Sequence, residues 1–193
     1  MNRPVFSPRK TKRLRKGRVS VNGARYFVTL CSEHRRVDLT SPEIEAGIVA
    51  VWRQQHQNKE IEMHCATVMP DHLHILFTLG HSLSISQTIR KFKSQTKGLL
   101  GGAAMKWQGN FFEHRLRPEV SLENFARYIF LNPYRKGLLP LDAKWSGWVL
   151  SRHYQPEFLD KLREGRYPHP EWLGITPTVV ELIDSVLEEN VDR

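Results

Sequence analysis

Cysteine is nearly absent, with Cys31 and Cys65 the only two among 193 residues. Two cysteines cannot build the disulfide framework of a small secreted domain, and their scarcity fits a reducing compartment. No apolar run reaches the roughly 18 residues that a membrane-crossing helix needs. The segment from Met1 to Arg18 has no apolar stretch of the kind a secretory signal requires. Internal repeats and low-complexity stretches are lacking too, which excludes solenoid and collagen-like architectures. Acid is missing from residues 1–18, which carry eight Lys/Arg.

What is present is ordinary in amount and uneven in place. The chain is 40% hydrophobic and 25% charged, the profile of a globular protein, with a formal net charge of +9. Residues 1–18 hold a charge of +8, residues 19–170 hold +6, and residues 171–193 hold −5. A polyanion such as nucleic acid is the natural partner for so basic a front. A solvated basic tail is the plainer alternative. The domain reading is a flexible basic arm (1–18), a central domain (19–140) and a C-terminal extension packed on it (141–193).

The periodicity divides the middle of the chain into alternating elements. Arg25–Cys31 is β-branched and aromatic and reads as a strand. Ser41-Pro42-Glu43 supplies an N-cap, a proline for the first turn and an early acid, opening a helix to about Gln57. Ile61–Val68 and His72–Leu79 alternate as strands around a Met-Pro-Asp turn at 69–71. Strict alternation in the first of them puts His64 and Cys65 on opposite faces. Ser84–Leu100 reads as an amphipathic helix with Ile85, Ile89 and Phe92 buried and Arg90, Lys93 and Lys97 forming a basic stripe. Phe111–Arg117 is a strand closed by Pro118. Ser121–Leu131 is a helix capped by Ser121, expected to end at Asn132 because the residue before Pro133 avoids the α conformation. A last, acidic helix is expected from Thr176 or Pro177 to Glu189.

The order β-α-β-β-α-β followed by α predicts an α+β fold. Its core is a ferredoxin-like antiparallel sheet with helices on one face, followed by an extra helix and a C-terminal extension.

Two groups of residues carry chemical interest. His72 and His74 are two apart on a strand, so both imidazoles leave the same face of the sheet, while Leu73 enters the core. Two neutral imidazoles on one face suit a divalent metal, and two histidines on a solvated strand face are the plain alternative. Tyr128 and Asn132 are one helical turn apart. A rim tyrosine and a helix-ending Asn-Pro explain that pair without function. Combined, the four residues suggest a metal-polarised phosphate and a tyrosine nucleophile. His114 is either a site residue or a hydrogen-bonded strand histidine. Tyr134, a rival nucleophile by position, reads as packing. A zinc site built on Cys65 is disfavoured by the lack of paired cysteines.

Three segments in order carry a family resemblance. Val68–Leu76 (VMPDHLHIL) resembles the HUH strand of single-tyrosine HUH transposases. Trp107–Arg117 (WQGNFFEHRLR) and Tyr128–Gly137 (YIFLNPYRKG) resemble the next two signatures of one branch, the REP-associated tyrosine transposases of the insertion-sequence 200-like superfamily. The resemblance spans roughly residues 20–155. It implies a metal-dependent enzyme that nicks and rejoins single-stranded DNA beside palindromic hairpins through a 5′-phosphotyrosine. It assigns Tyr128 as nucleophile and His72, His74 and Asn132 as ligands of Mg²⁺ or Mn²⁺. Phosphates would then be held by Arg13, Arg15 and Arg18 of the arm, by Arg90, Lys93 and Lys97, and by Arg115 and Arg117. A monomer or homodimer in the bacterial cytoplasm, near the nucleoid, is implied as well, and no membrane partner. The alternatives are a domesticated module that binds hairpin DNA or RNA without cutting, and a phosphodiesterase acting through water.

Overall fold

A computed structural model of the chain describes residues 19–33, 38–101, 106–178 and 180–183. The elements are β1 (Arg25–Cys31), α1 (Pro42–Gln57), β2 (Ile61–Val68), β3 (His72–Leu79), α2 (Ile85–Thr96), β4 (Phe112–Leu116), α3 (Glu123–Arg135), β5 (Trp148–Leu150) and a short α4 (Trp172–Ile175). The five strands form one antiparallel sheet in the order β4-β1-β3-β2-β5. Its first four strands have the expected ferredoxin-like order. The fifth is a three-residue edge strand paired to Cys65–Thr67, too short for alternation to announce it.

Alternation in β1 and β3 splits the core in two. Tyr26, Val28, Leu30, Leu73, Ile75 and Phe77 pack with Ile48 and Trp52 of α1 and Ile85, Ile89 and Phe92 of α2. Phe27 and Leu76 point the other way, to Phe125, Ala126 and Ile129 of α3 and to Phe158 of the extension. So α1 and α2 cover one face and α3 the other. We call these the helical-pair face and the tyrosine face.

Four local expectations are corrected. The alternation in β2 breaks at a bulge between Met63 and Cys65. Ile61, Met63, Ala66 and Val68 join the helical-pair core, and Cys65 joins the other. The extra residue turns His64 toward the Cys65 side, where its Nε2 lies 2.8 Å from Thr78 Oγ1 and its ring meets Tyr154. His64 and Cys65 therefore do not face apart. Secondly, α2 ends at Thr96, and Lys97–Leu100 tightens into a 3-10 turn before Gly101 at φ 83°. Its start, at Ser84 as expected, is closed by a capping box in which Ser84 and Gln87 bond each other's backbone N–H.

Thirdly, α3 does not stop at Asn132. It runs through Pro133 to Arg135. An interior proline costs about 3 kcal/mol or more. Here it sits two residues from the helix end, and Phe130, Leu131 and Tyr134 around it are buried. The end is then closed by a Schellman arrangement: Leu138 N–H donates to Pro133 O, Gly137 N–H donates to Tyr134 O, and Gly137 takes φ 65°. Fourthly, the N-cap position of α3 is Leu122 rather than Ser121, although Ser121 Oγ still accepts from Glu123 N–H.

Residues 180–183 are helical, opened by a reciprocal Thr178–Glu181 cap. The rest of the expected acidic helix, and the basic arm, lie outside the described residues. Among the described residues, no helix is long and apolar enough to cross a membrane.

Candidate active site

The first and third residues of β3, His72 and His74, lie on the tyrosine face, opposite Cys31 and Thr29 of β1. Their Nε2 atoms stand 3.2 Å apart. Each ring is held from behind. Asp71 Oδ1 is 2.5 Å from His72 Nδ1, and Thr29 Oγ1 is 2.8 Å from His74 Nδ1. A carboxylate only accepts, so Asp71 holds a proton on His72 Nδ1 and turns Nε2 toward His74. Burial, and then the neighbouring His72, hold His74 well below the ordinary histidine range, so its ring is neutral at physiological pH. Two imidazole nitrogens this close need a proton or a cation between them.

The other half of the site comes from α3. Asn132, buried within the helix rather than beyond its end, places Nδ2 3.0 Å from His74 Nε2. One turn earlier, the Tyr128 ring packs edge-on to His74 with centroids 5.6 Å apart, and edge-on to Phe27 at 5.9 Å. Phe27 in turn stacks on His74 at 5.3 Å. Burial raises the Tyr128 phenol above its usual pKa, and a hydrogen bond with the Asn132 side chain works against that rise. The phenol is therefore protonated at neutral pH. The structure thus brings His72, His74, Tyr128 and Asn132 to one place between β3 and α3.

The donor set fits a divalent ion. Cis ligands at about 2.1 Å from a metal are about 3 Å apart, which matches the spacing of the two Nε2 atoms. Asn132 would contribute Oδ1 after a half-turn of its amide, which exchanges two nearly isosteric atoms. Among the described residues, no cluster of three or more His, Cys, Asp or Glu offers a competing site.

Residues 20–129 match the sequence model of the IS200-like transposases, more than half of the chain. The chain belongs to the IS200-like transposase family. It is 25% identical over 158 residues to the REP-associated tyrosine transposase of Escherichia coli, covering 81% of this chain and 89% of that protein. A solved structure of a REP-associated tyrosine transposase bound to a REP hairpin shares the fold, with a TM-score of 0.58, 24% identity, and coverage of 78% of this chain and 86% of that one.

In this IS200-like transposase the basic residues fall apart from the four site residues. Arg115 pairs with Tyr26, so it leaves the sheet on the helical-pair side, where α2 also carries Arg90 and Lys93. Lys97 lies in the turn after α2, and Arg117 follows β4. Arg90, Lys93 and Arg115 therefore stand away from the tyrosine face, whereas the Arg117 charge reaches His114 on it. Arg13, Arg15 and Arg18 are outside the described residues.

His114 does lie on the tyrosine face, across from Phe27. Its ring stacks on Phe125 with centroids 5.9 Å apart, and its Nε2 is buried without a hydrogen-bond partner. Tyr134 donates to Ala143 O and is buried, as a packing residue would be.

The residues missed by sequence reasoning are the ones that hold the site. Asp71 adjoins His72 and was visible as a neighbour. Thr29 is 45 residues from His74 and meets it only through the β1–β3 register. Glu123 accepts hydrogen bonds from the N–H groups of Glu157 and Phe158, at 2.9 and 2.7 Å, tying the start of the tyrosine helix to the extension.

Proposed function

We propose that this protein nicks and rejoins single-stranded DNA next to palindromic hairpins, with Tyr128 as the nucleophile. In this reading His72, His74 and Asn132 hold Mg²⁺ or Mn²⁺. The observation that carries it is the convergence of two imidazole Nε2 atoms, a buried amide and a phenol from two separate elements. Family membership supports a transposase activity, and the relative solved with a REP hairpin supports hairpin DNA as the partner.

When bound, the ion would withdraw charge from the scissile phosphate and orient it for in-line attack. The protein's own residues do the rest. Phe27 and His74 wall the Tyr128 ring on two sides and fix its approach. Because burial keeps the phenol protonated, its proton leaves as the new oxygen–phosphorus bond forms. The bond from phosphorus to the 3′ oxygen breaks, that oxygen takes up a proton, and a 5′-phosphotyrosine remains. Attack by a 3′-hydroxyl on that ester reverses the step, joins the strands and returns the proton to Tyr128. No external energy source is needed, since one phosphodiester is exchanged for another.

The test uses a labelled stem-loop DNA with single-stranded tails, incubated with the protein and Mg²⁺ or Mn²⁺. A covalent adduct on a denaturing gel, absent in Tyr128→Phe and absent in EDTA, is the expected result. Cleavage that survives Tyr128→Phe overturns the tyrosine nucleophile in favour of water. Binding without cleavage in either metal overturns the enzyme in favour of a non-cutting module.

A further inference from the structure

A cavity of about 430 Å³ opens beside the edge strand β4, on the helical-pair side of the sheet. Ser86, Ile89, Arg90 and Lys93 of α2 form one wall, and Gly109, Asn110 and Phe111 form the other. The four α2 residues recur at helical spacing, so they present a single face. Ile89 and Phe111 are buried and make an apolar floor. Lys93 is not a loose surface charge. Its ammonium donates to Gln108 O at 2.6 Å and Asn110 O at 3.1 Å, and it stands 5.6 Å over the Phe111 ring. Arg90 is exposed at the mouth.

The register gives the cavity its place. Phe112 pairs with Thr29, and Thr29 pairs with His74. Phe111 is therefore one residue from the cross-strand row that contains the metal-ligand candidate. Two strand spacings, about 10 Å, separate β4 from β3. The cavity lies level with the site but on the opposite face, and β4 is the sheet edge between them.

We infer that this cavity is a subsite for one nucleotide unit of the single-stranded DNA that flanks the hairpin, its phosphate held by Arg90 and Lys93. The substrate strand then runs from Tyr128 over the edge of β4 to the other face. This inference rests on DNA being the substrate and adds where a second segment of it goes. The volume suits a single small ligand and is too small for a duplex. An anchored cation beside an exposed guanidinium is preorganised for a phosphate, and the apolar floor with Ser86 and Asn110 suits the attached sugar and base.

The test measures binding in EDTA, which prevents cleavage, by fluorescence anisotropy. The probes are a stem-loop with single-stranded tails and the same stem-loop with blunt ends. Arg90→Ala should weaken the tailed probe about tenfold, and lower its slope of log affinity against log salt by about 0.7, the value of one single-strand phosphate contact. The blunt probe should be unaffected. Arg90→Lys should restore the slope. Arg90 is exposed, so thermal melts of both variants should match the parent. An equal loss on both probes, or no loss on the tailed probe, overturns the subsite. The adduct assay above is independent of this one: an adduct without a tail-specific loss sinks only the subsite, whereas a parent protein that binds neither probe sinks the DNA reading and the subsite together.

Discussion

On the helical-pair face, every inward side chain of β1 and β3 is a hydrocarbon or a tyrosine, and α1 and α2 seal it with Trp52 stacked on Phe92. On the tyrosine face the same two strands present Arg25, Phe27, Thr29, Cys31, His72, His74, Leu76 and Thr78. The backbone ladder is shared, and on the second face Thr29, His72, His74 and Thr78 each have a polar side-chain partner, while Thr67 Oγ1 and His114 Nε2 are buried without one. Burying polar groups costs stability unless they are paired. One face therefore holds the fold, and the other holds preorganised donors at the expense of some apolar burial. The C-terminal extension reinforces that second face, through Glu123 and through Phe158 against Phe130 at 5.1 Å.

Substitutions on the two faces should separate chemistry from stability. The largest effect is expected from Tyr128→Phe, which should reduce adduct formation to background while leaving the thermal midpoint almost unchanged. A variant that melts much earlier would mean that the tyrosine face is structural after all. Next comes Trp52→Ala on the opposite face. It removes a nearly fully buried aromatic and should cost about 3–5 kcal/mol in urea unfolding. If enough of it folds, its adduct chemistry should be intact; a folded variant with a lost adduct would blur the division.

Smaller losses are expected from the residues behind the imidazoles. Thr29→Val and Asp71→Ala should each weaken Mn²⁺ binding about 10- to 100-fold, read by electron paramagnetic resonance, because they free a ring without removing a ligand. Unchanged Mn²⁺ affinity in both would show that the rings need no orientation.

The smallest effect concerns acid. Burial holds His64 and His114, both on the tyrosine face, below the ordinary histidine range. Their unfolded value is about 6.5, so as pH falls through it the unfolded chain takes up protons that the folded chain refuses. The stability tied to their neutral rings is present above about pH 6.5 and declines below it. Melting midpoints should drop across that window, and the drop should shrink in His114→Phe. A variant with the parent's full pH dependence would remove His114 from this account.

The strands and first helices were legible because their signals are local. β-Branched and aromatic residues marked β1, alternation marked the paired strands after α1, helical spacing of Ile85, Ile89 and Phe92 marked α2, and Ser41-Pro42 marked α1. The same local rules misread β2 and α3. A bulge at His64 is set by pairing with β3, and a helix that survives Pro133 is held by the burial of Phe130, Leu131 and Tyr134. The site followed the same division. The His pair and the Tyr128–Asn132 pair were each visible as spacings two and four apart. Their meeting was implied only by combining the two pairs and by the family resemblance, and the separation of Arg90, Lys93 and Arg115 to the other face was not legible.

By itself, then, the sequence determined the element order, the apolar faces and the chemistry of the candidate side chains, since these depend on neighbours within one turn or one strand. Only the tertiary structure decided that β3 and α3 face each other, that Thr29 and Asp71 stand behind the two imidazoles, and that Asn132 stays helical. Those outcomes depend on strand register and on burial between residues far apart in the chain. At such distances, packing free energy outweighs local preference.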